Sequence, residues 1–142
     1  MMLPTEQVGS IPRPAALIQG IQSFEAGRIS QPELTALYLS AVKDTIQRLE
    51  ANGSPVITDG EQARHSFATY SIYGHIRTLR RITAGPFTYK TPADVYREIA
   101  QQYAHVAVKQ AVISPSALSL MYTEKILHYS REQFIFPLFT LR

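Results

Sequence analysis

The stretch Pro55-Val56-Ile57-Thr58-Asp59-Gly60-Glu61 decides how this chain is read. Residues suited to a short buried strand run directly into a polar turn that contains a glycine. The segment Thr5-Glu6-Gln7-Val8-Gly9-Ser10 repeats the arrangement near the start, with Thr5 to Val8 as a short first strand. In both loops, glycine lets the backbone turn sharply and approach a ligand closely. Ser10, Asp59 and Glu61 then stand where they can present oxygens to a small polar molecule. Two loops of this kind, each leaving a strand and entering a helix, are expected to share a pocket at the strand ends of an α/β protein.

Helical patterns lie between these strands. Pro14 suits a first helical turn, because its missing N–H would have no partner there. Leu17, Ile18, Ile21 and Phe24 recur at helical spacing, and Gly27 reads as the stop. Ser30 and Glu33 form a capping box around Pro32. Leu34, Leu37, Tyr38, Ala41, Val42, Ile46 and Leu49 then share one face, a core stripe that ends at Asn52-Gly53. The segment from Gln62 to Tyr89 is irregular and long for a loop inside a domain, a length usually tied to function or disorder. Thr91-Pro92-Ala93-Asp94 restarts a helix whose stripe is Val95, Ile99 and Tyr103. Val106 to Ile113 reads as a strand interrupted by Lys109 and Gln110, and Ser114-Pro115-Ser116 as a third loop after a strand. Such a βα progression implies parallel strands, and right-handed crossovers would bring all three loops to one rim.

Composition narrows the chemistry. At 142 residues, 45% hydrophobic and 18% charged, the chain has the make-up of one soluble globular domain. It has no cysteine, which excludes disulfides, thiol nucleophiles and thiolate metal sites built from this chain. His65, His75, His105 and His128 lack the close spacings that bring two imidazoles to one metal, and they read as surface or packed residues. The net charge is +3, with basic density at Arg77, Arg80 and Arg81. A solvated arginine cluster is favoured there over phosphate or nucleic-acid contact, because no aromatic platform is interleaved with it. No basic segment followed by an apolar run opens the chain, and no apolar stretch approaches the roughly 18 residues of a membrane span. A cytoplasmic protein with no membrane partner is expected.

Three segments, in order, carry a resemblance: Val8-Gly9-Ser10-Ile11-Pro12-Arg13-Pro14, Ile57-Thr58-Asp59-Gly60-Glu61-Gln62-Ala63-Arg64 and Val108-Lys109-Gln110-Ala111-Val112-Ile113-Ser114-Pro115. Together they resemble the catalytic barrel of cobalamin-independent methionine synthase and its single-barrel relatives, from about Leu3 to Arg131. The resemblance implies a partial TIM (β/α)8 barrel, α/β with parallel strands, in which residues 1–131 form the first three or so βα units and 132–142 a divergent apolar tail. It implies transfer of a methyl group from methyltetrahydrofolate to the sulfur of homocysteine, with a zinc ion holding that sulfur as a thiolate. It also implies that Gly9 and Ser10 bind the amino-acid carboxylate through N–H and hydroxyl donors. Glu61 would accept from the ammonium group, while Asp59 joins it or holds the loop. Read without the resemblance, Ser10 could equally cap a helix, and Glu61 could form a loop salt bridge with Arg64.

The departures are as informative. The family's zinc ligands are histidine, cysteines and a glutamate on later strands, and a complete barrel takes about 250 residues. This chain stops short of that region and has no cysteine, so a truncated form, inactive alone, is expected. Two other readings stay open. One is a non-catalytic fragment that associates with a partner or another copy through an open sheet edge. The other is a uroporphyrinogen-decarboxylase-like relative, which shares the barrel without the zinc.

Overall fold

Pro14 sets the first helix. In the computed structural model, which describes residues 5–64, 93–114, 116, 117 and 120, Pro14 is extended (φ −59°, ψ 146°) and precedes α1 (Ala15–Glu25). Its carbonyl accepts the N–H groups of Leu17 and Ile18 at 3.0 and 3.1 Å. The sequence stop holds: α1 ends at Ala26 and the chain leaves through Gly27. The capping box also forms, and opens α2 (Gln31–Ala51). The Glu33 carboxylate accepts the Ser30 N–H at 2.7 Å and the Ser30 hydroxyl at 2.6 Å. Gly53, at φ 75°, follows the Asn52 C-cap. The two helices pack closely at Gly20, where a Cβ would overlap the Leu37 side chain.

One face of α2 makes the core. Val42, Ile46 and Leu49 pack with Ile57, Val108 and Ala100, and Tyr103, Ala104 and Val106 flank them. Ile57 belongs to β1 (Val56–Ile57), Ala100 to α3 (Ala93–Gln101) and Val108 to β2 (Ala107–Val108). The strands pair in parallel, Val56 with Ala107 and Ile57 with Val108. The chain is therefore α/β with parallel strands, and its apolar residues seal the sheet against helices.

Of the two expected outer strands, one does not form and the other is shorter than its sequence pattern, for identifiable reasons. Thr5 to Val8 is not a ladder strand. Gln7 donates its side-chain amide to Ser54 Oγ at 3.1 Å, the Gly9 carbonyl accepts the Thr58 hydroxyl, and Val8 is 88% exposed. This segment is held by side chains instead of backbone pairing. The strand expected over Val106 to Ile113 stops at Val108, with one further bond from the Lys109 N–H to the Ile57 carbonyl at 2.8 Å. Beyond it the segment after β1 turns at Gly60, and the Ala111 carbonyl accepts from Arg64 instead.

The described residues fall into two units. The larger holds residues 5–64 and 93–111, with every element above. The smaller holds residues 112–114, 116, 117 and 120, in which the Ser114 hydroxyl accepts the Ala117 N–H at 3.1 Å. The third loop, Ser114-Pro115-Ser116, belongs to this smaller unit, and Pro115 lies outside the described residues. So do His65, His75 and His128, the arginines at 77, 80 and 81, and the tail over 132–142.

Candidate functional site

Immediately after β1 the buried residues change character. Thr58, Asp59, Glu61, Gln62 and Arg64 are all buried, at 7% exposure or less. Buried polar groups are costly unless hydrogen-bonded, and most of these are. Thr58 donates its hydroxyl to the Gly9 carbonyl and accepts the Gly60 N–H, both at 3.0 Å. The Gly60 carbonyl accepts the Ile11 N–H at 3.1 Å. Gln62 donates to the Ile11 and Pro12 carbonyls at 3.4 and 3.5 Å. These bonds lay the Gly9 to Pro14 segment along the strand-end turn. The two loops singled out in the sequence are thus brought together.

The turn is tight. Gly60 has φ 65°, and a Cβ there would meet Ile11 Cγ1 at 2.7 Å and Thr45 Cγ2 at 3.0 Å. Glu61 also has positive φ, 55°, which is uncommon for a residue with a side chain. Asp59 supports this shape, because its Oδ1 accepts the Glu61 N–H at 3.0 Å. Its Oδ2 has no hydrogen-bond partner among the described residues, and neither does Gln62 Oε1.

Glu61 points its carboxylate at Gly9. A Cβ on Gly9 would lie 2.5 Å from Glu61 Oε1 and 3.0 Å from the Ala111 Cβ, so only glycine lets the carboxylate rest there. Burial raises the Glu61 pKa above the ordinary carboxylate value. The Arg64 charge pulls it down, the Asp59 charge pushes it up and Arg13 pulls it down, and the net direction is upward. Of the predicted residues, Gly9, Asp59 and Glu61 converge. Ser10 is next to them and exposed. Its alternative role as a helix cap does not apply, because α1 is capped at Pro14.

The salt bridge considered for Glu61 does not form among the described residues. Arg64 instead donates to the Ala111 carbonyl at 2.7 Å and lies over the Tyr96 ring, 5.3 Å from its centroid, reaching Glu61 as a charge nearby. Arg13 was not singled out in the sequence. Its guanidinium donates to the carbonyls of Gln62 and Glu61 at 3.4 and 3.5 Å and to that of Arg64. The readable signal is its place between Pro12 and Pro14, which restrict the backbone on either side of one long cationic side chain. His105 is exposed and lies apart from this cluster, its Nδ1 3.0 Å from the Glu50 carboxylate.

A buried carboxylate beside a glycine backbone and an exposed serine suits the two ends of a free amino acid. Among the described residues no three His, Cys, Asp or Glu side chains gather to hold a metal ion. The thiolate ligands of the zinc site implied by the resemblance have no counterpart in a chain without cysteine. Nor is any helix among the described residues long and apolar enough to cross a membrane.

Known proteins give this arrangement a context. The chain is 32% identical over 84 residues to a methionine synthase of Sulfolobus acidocaldarius, covering 54% of this chain and 25% of that protein. It is 31% identical over 109 residues to a methionine synthase of Saccharolobus solfataricus, covering 68% of this chain and 31% of the relative. Over 69 residues it is 35% identical to a 5-methyltetrahydropteroyltriglutamate–homocysteine methyltransferase of Aeromonas salmonicida, 49% of this chain and 9% of the other. No family profile matches the chain. The matched segment therefore spans about a quarter of the first relative's length, and the resemblance to methionine synthases read from the loop sequences is borne out.

Proposed function

From the likeness to methionine synthases, we propose that this chain carries the amino-acid-binding part of a methyltransferase that places a methyl group on the sulfur of homocysteine. The observation that carries the reading is the placement of the Glu61 carboxylate. It is buried, raised in pKa and held against the Gly9 backbone by a left-handed turn. In this reading the Glu61 carboxylate accepts from the substrate ammonium, a charge-assisted bond that favours its deprotonated form and opposes the upward shift that burial causes. The Gly9–Ser10 backbone and the Ser10 hydroxyl donate to the substrate carboxylate. Asp59 holds the turn through Oδ1 and keeps Oδ2 available as a second acceptor. Together these groups orient the amino acid and leave its thiol free for reaction.

The same reading puts the chain in the cytoplasm and makes residues 1–131 the N-terminal part, the first three or so βα units, of a (β/α)8 barrel. Methyltetrahydrofolate is the methyl donor in this reading. A zinc ion activating the thiol would take ligands other than the described residues.

Calorimetric titration of the chain with L-homocysteine tests this. Saturable binding that is lost in Glu61→Gln is the expected result. Binding of equal strength in the two proteins would sink the role given to Glu61. Thermal melts supply a second readout, since ligand at 100 times its Kd raises stability by about 2.7 kcal/mol.

A further inference from the structure

Glu61 sits in a conformation that its own residue type disfavours, so something outside the turn must hold it there. The left-handed region costs an L-residue roughly 1–2 kcal/mol. Asp59 takes the Glu61 N–H, which secures one side of the peptide. The other side, a run of carbonyls, faces Arg13. Its Nε donates to the Gln62 carbonyl at 3.4 Å, and its Nη2 donates to the Glu61 carbonyl at 3.5 Å and to that of Arg64. Three carbonyls of one turn thus converge on a single guanidinium.

We propose that Arg13 is the positioning residue of this site, a clip whose planar fork ties the Glu61 to Arg64 turn to the Gly9 to Pro14 segment and so fixes where the Glu61 carboxylate stands. The proposal rests on the reading of Glu61 as the carboxylate that meets the amino acid. Two features separate a clip from a general surface charge. Pro12 and Pro14 flank Arg13 and restrict the backbone on both sides, so the segment that carries the guanidinium has few conformations open to it. The tie is also reciprocal, because Gln62 reaches back to the Ile11 and Pro12 carbonyls at 3.4 and 3.5 Å. Only arginine offers donors in a rigid plane that can span several carbonyls. A lysine ammonium carries the same charge at a point.

That difference supplies the test. In the full chain, the Glu61 side-chain carboxyl is titrated by 13C NMR in the unaltered protein, Arg13→Lys and Arg13→Met, and each is titrated with L-homocysteine. Among the described residues, the charges facing Glu61 are Arg64, Asp59 and Arg13. If Arg13 is a clip, both variants release the carboxylate to water, and its titration midpoint falls toward the ordinary value. Homocysteine affinity drops roughly tenfold in both, the scale of one misplaced charged hydrogen bond. If Arg13 acts only as a charge, Arg13→Lys matches the unaltered protein while the midpoint rises in Arg13→Met, and the proposal is overturned. A chain that does not bind homocysteine defeats the amino-acid reading, and the midpoints alone then decide the clip. Should both variants fail to fold, the unaltered protein still decides. Slow rotation about the Arg13 Nε–Cζ bond, with separate Nη signals, is expected of a clipped guanidinium, and free rotation overturns the proposal.

Discussion

Ile46 and Gln62 are both fully buried, yet they sit in regions with opposite physics. Around Ile46, burial itself stabilises: Val42, Leu49, Ile57, Ala100 and Val108 meet in an apolar contact where every methyl contributes. Around Gln62, burial is a cost offset by hydrogen bonds. Thr58, Asp59, Glu61 and Arg64 sit one to a few residues past the same strand, bound to the carbonyls and N–H groups of the neighbouring loops. Even there, Asp59 Oδ2 and Gln62 Oε1 have no partner among the described residues. A fold optimised for stability alone would not gather such groups. The apolar side of β1 supports the structure, and its polar end gathers the groups proposed to meet the amino acid.

The largest effect should come from the apolar side. Ile46→Ala leaves a cavity in the contact of α2 with both strands, and about 3 kcal/mol of stability should be lost in denaturant unfolding. Homocysteine affinity of the folded protein should hardly change. A folded Ile46→Ala protein that no longer binds would show that the two regions are not separable. Gly60→Ala should come next, at about 2 kcal/mol for a left-handed residue with a crowded Cβ. That Cβ would meet Ile11 and Thr45 at 2.7 and 3.0 Å, so the turn must shift and Glu61 with it. Here the site should fail along with stability, and calorimetry of the folded protein would read the loss.

Charge sharpens the contrast further. Glu61 has a raised pKa, so between its unfolded and folded values the native chain binds more protons than the unfolded one. Stability should therefore be greatest below the unfolded value and fall as pH rises through the folded one. Glu61→Gln should flatten that fall, stabilise the protein at neutral pH and abolish homocysteine binding. Glu50 gives the opposite slope. The His105 ring and the backbone N–H groups of His105 and Val106 hold its carboxyl below the ordinary value. Its contribution is present above the unfolded pKa and lost as pH falls through the folded one. Melts across pH in the chain and in Glu50→Gln would separate the two slopes.

The apolar half of this contrast is written in the sequence and the polar half only partly. Ser30 and Glu33 announce α2, and Leu34, Ala41, Val42, Ile46 and Leu49 fall buried as their spacing predicts. Local rules suffice there, because capping and periodicity act within one element. The turn residues Gly60, Asp59 and Glu61 were also legible, since glycine before an acidic side chain marks a tight polar loop. What could not be read was how the loops are joined. Thr5 to Val8 has a strand-like pattern, but the Gly9 carbonyl is taken by the Thr58 hydroxyl, 49 residues away in sequence. Arg13 likewise acts on carbonyls 48 to 51 residues distant. Bonds of that range leave no periodic trace.

The smallest change tests the contrast from the other end. Gly53, like Gly60, is left-handed, at φ 75° against 65°, but nothing lies within 4 Å of where its Cβ would be. Gly53→Ala therefore meets only the backbone cost of that conformation, about 1 kcal/mol, with homocysteine affinity unchanged. Set beside Gly60→Ala, it subtracts the backbone cost and leaves the cost of crowding at Ile11 and Thr45. Denaturant unfolding of the two variants supplies the difference. If Gly53→Ala were as damaging as Gly60→Ala, crowding would contribute nothing, and the tight approach of the Gly9 to Pro14 segment to the turn would not be what holds Glu61 in place.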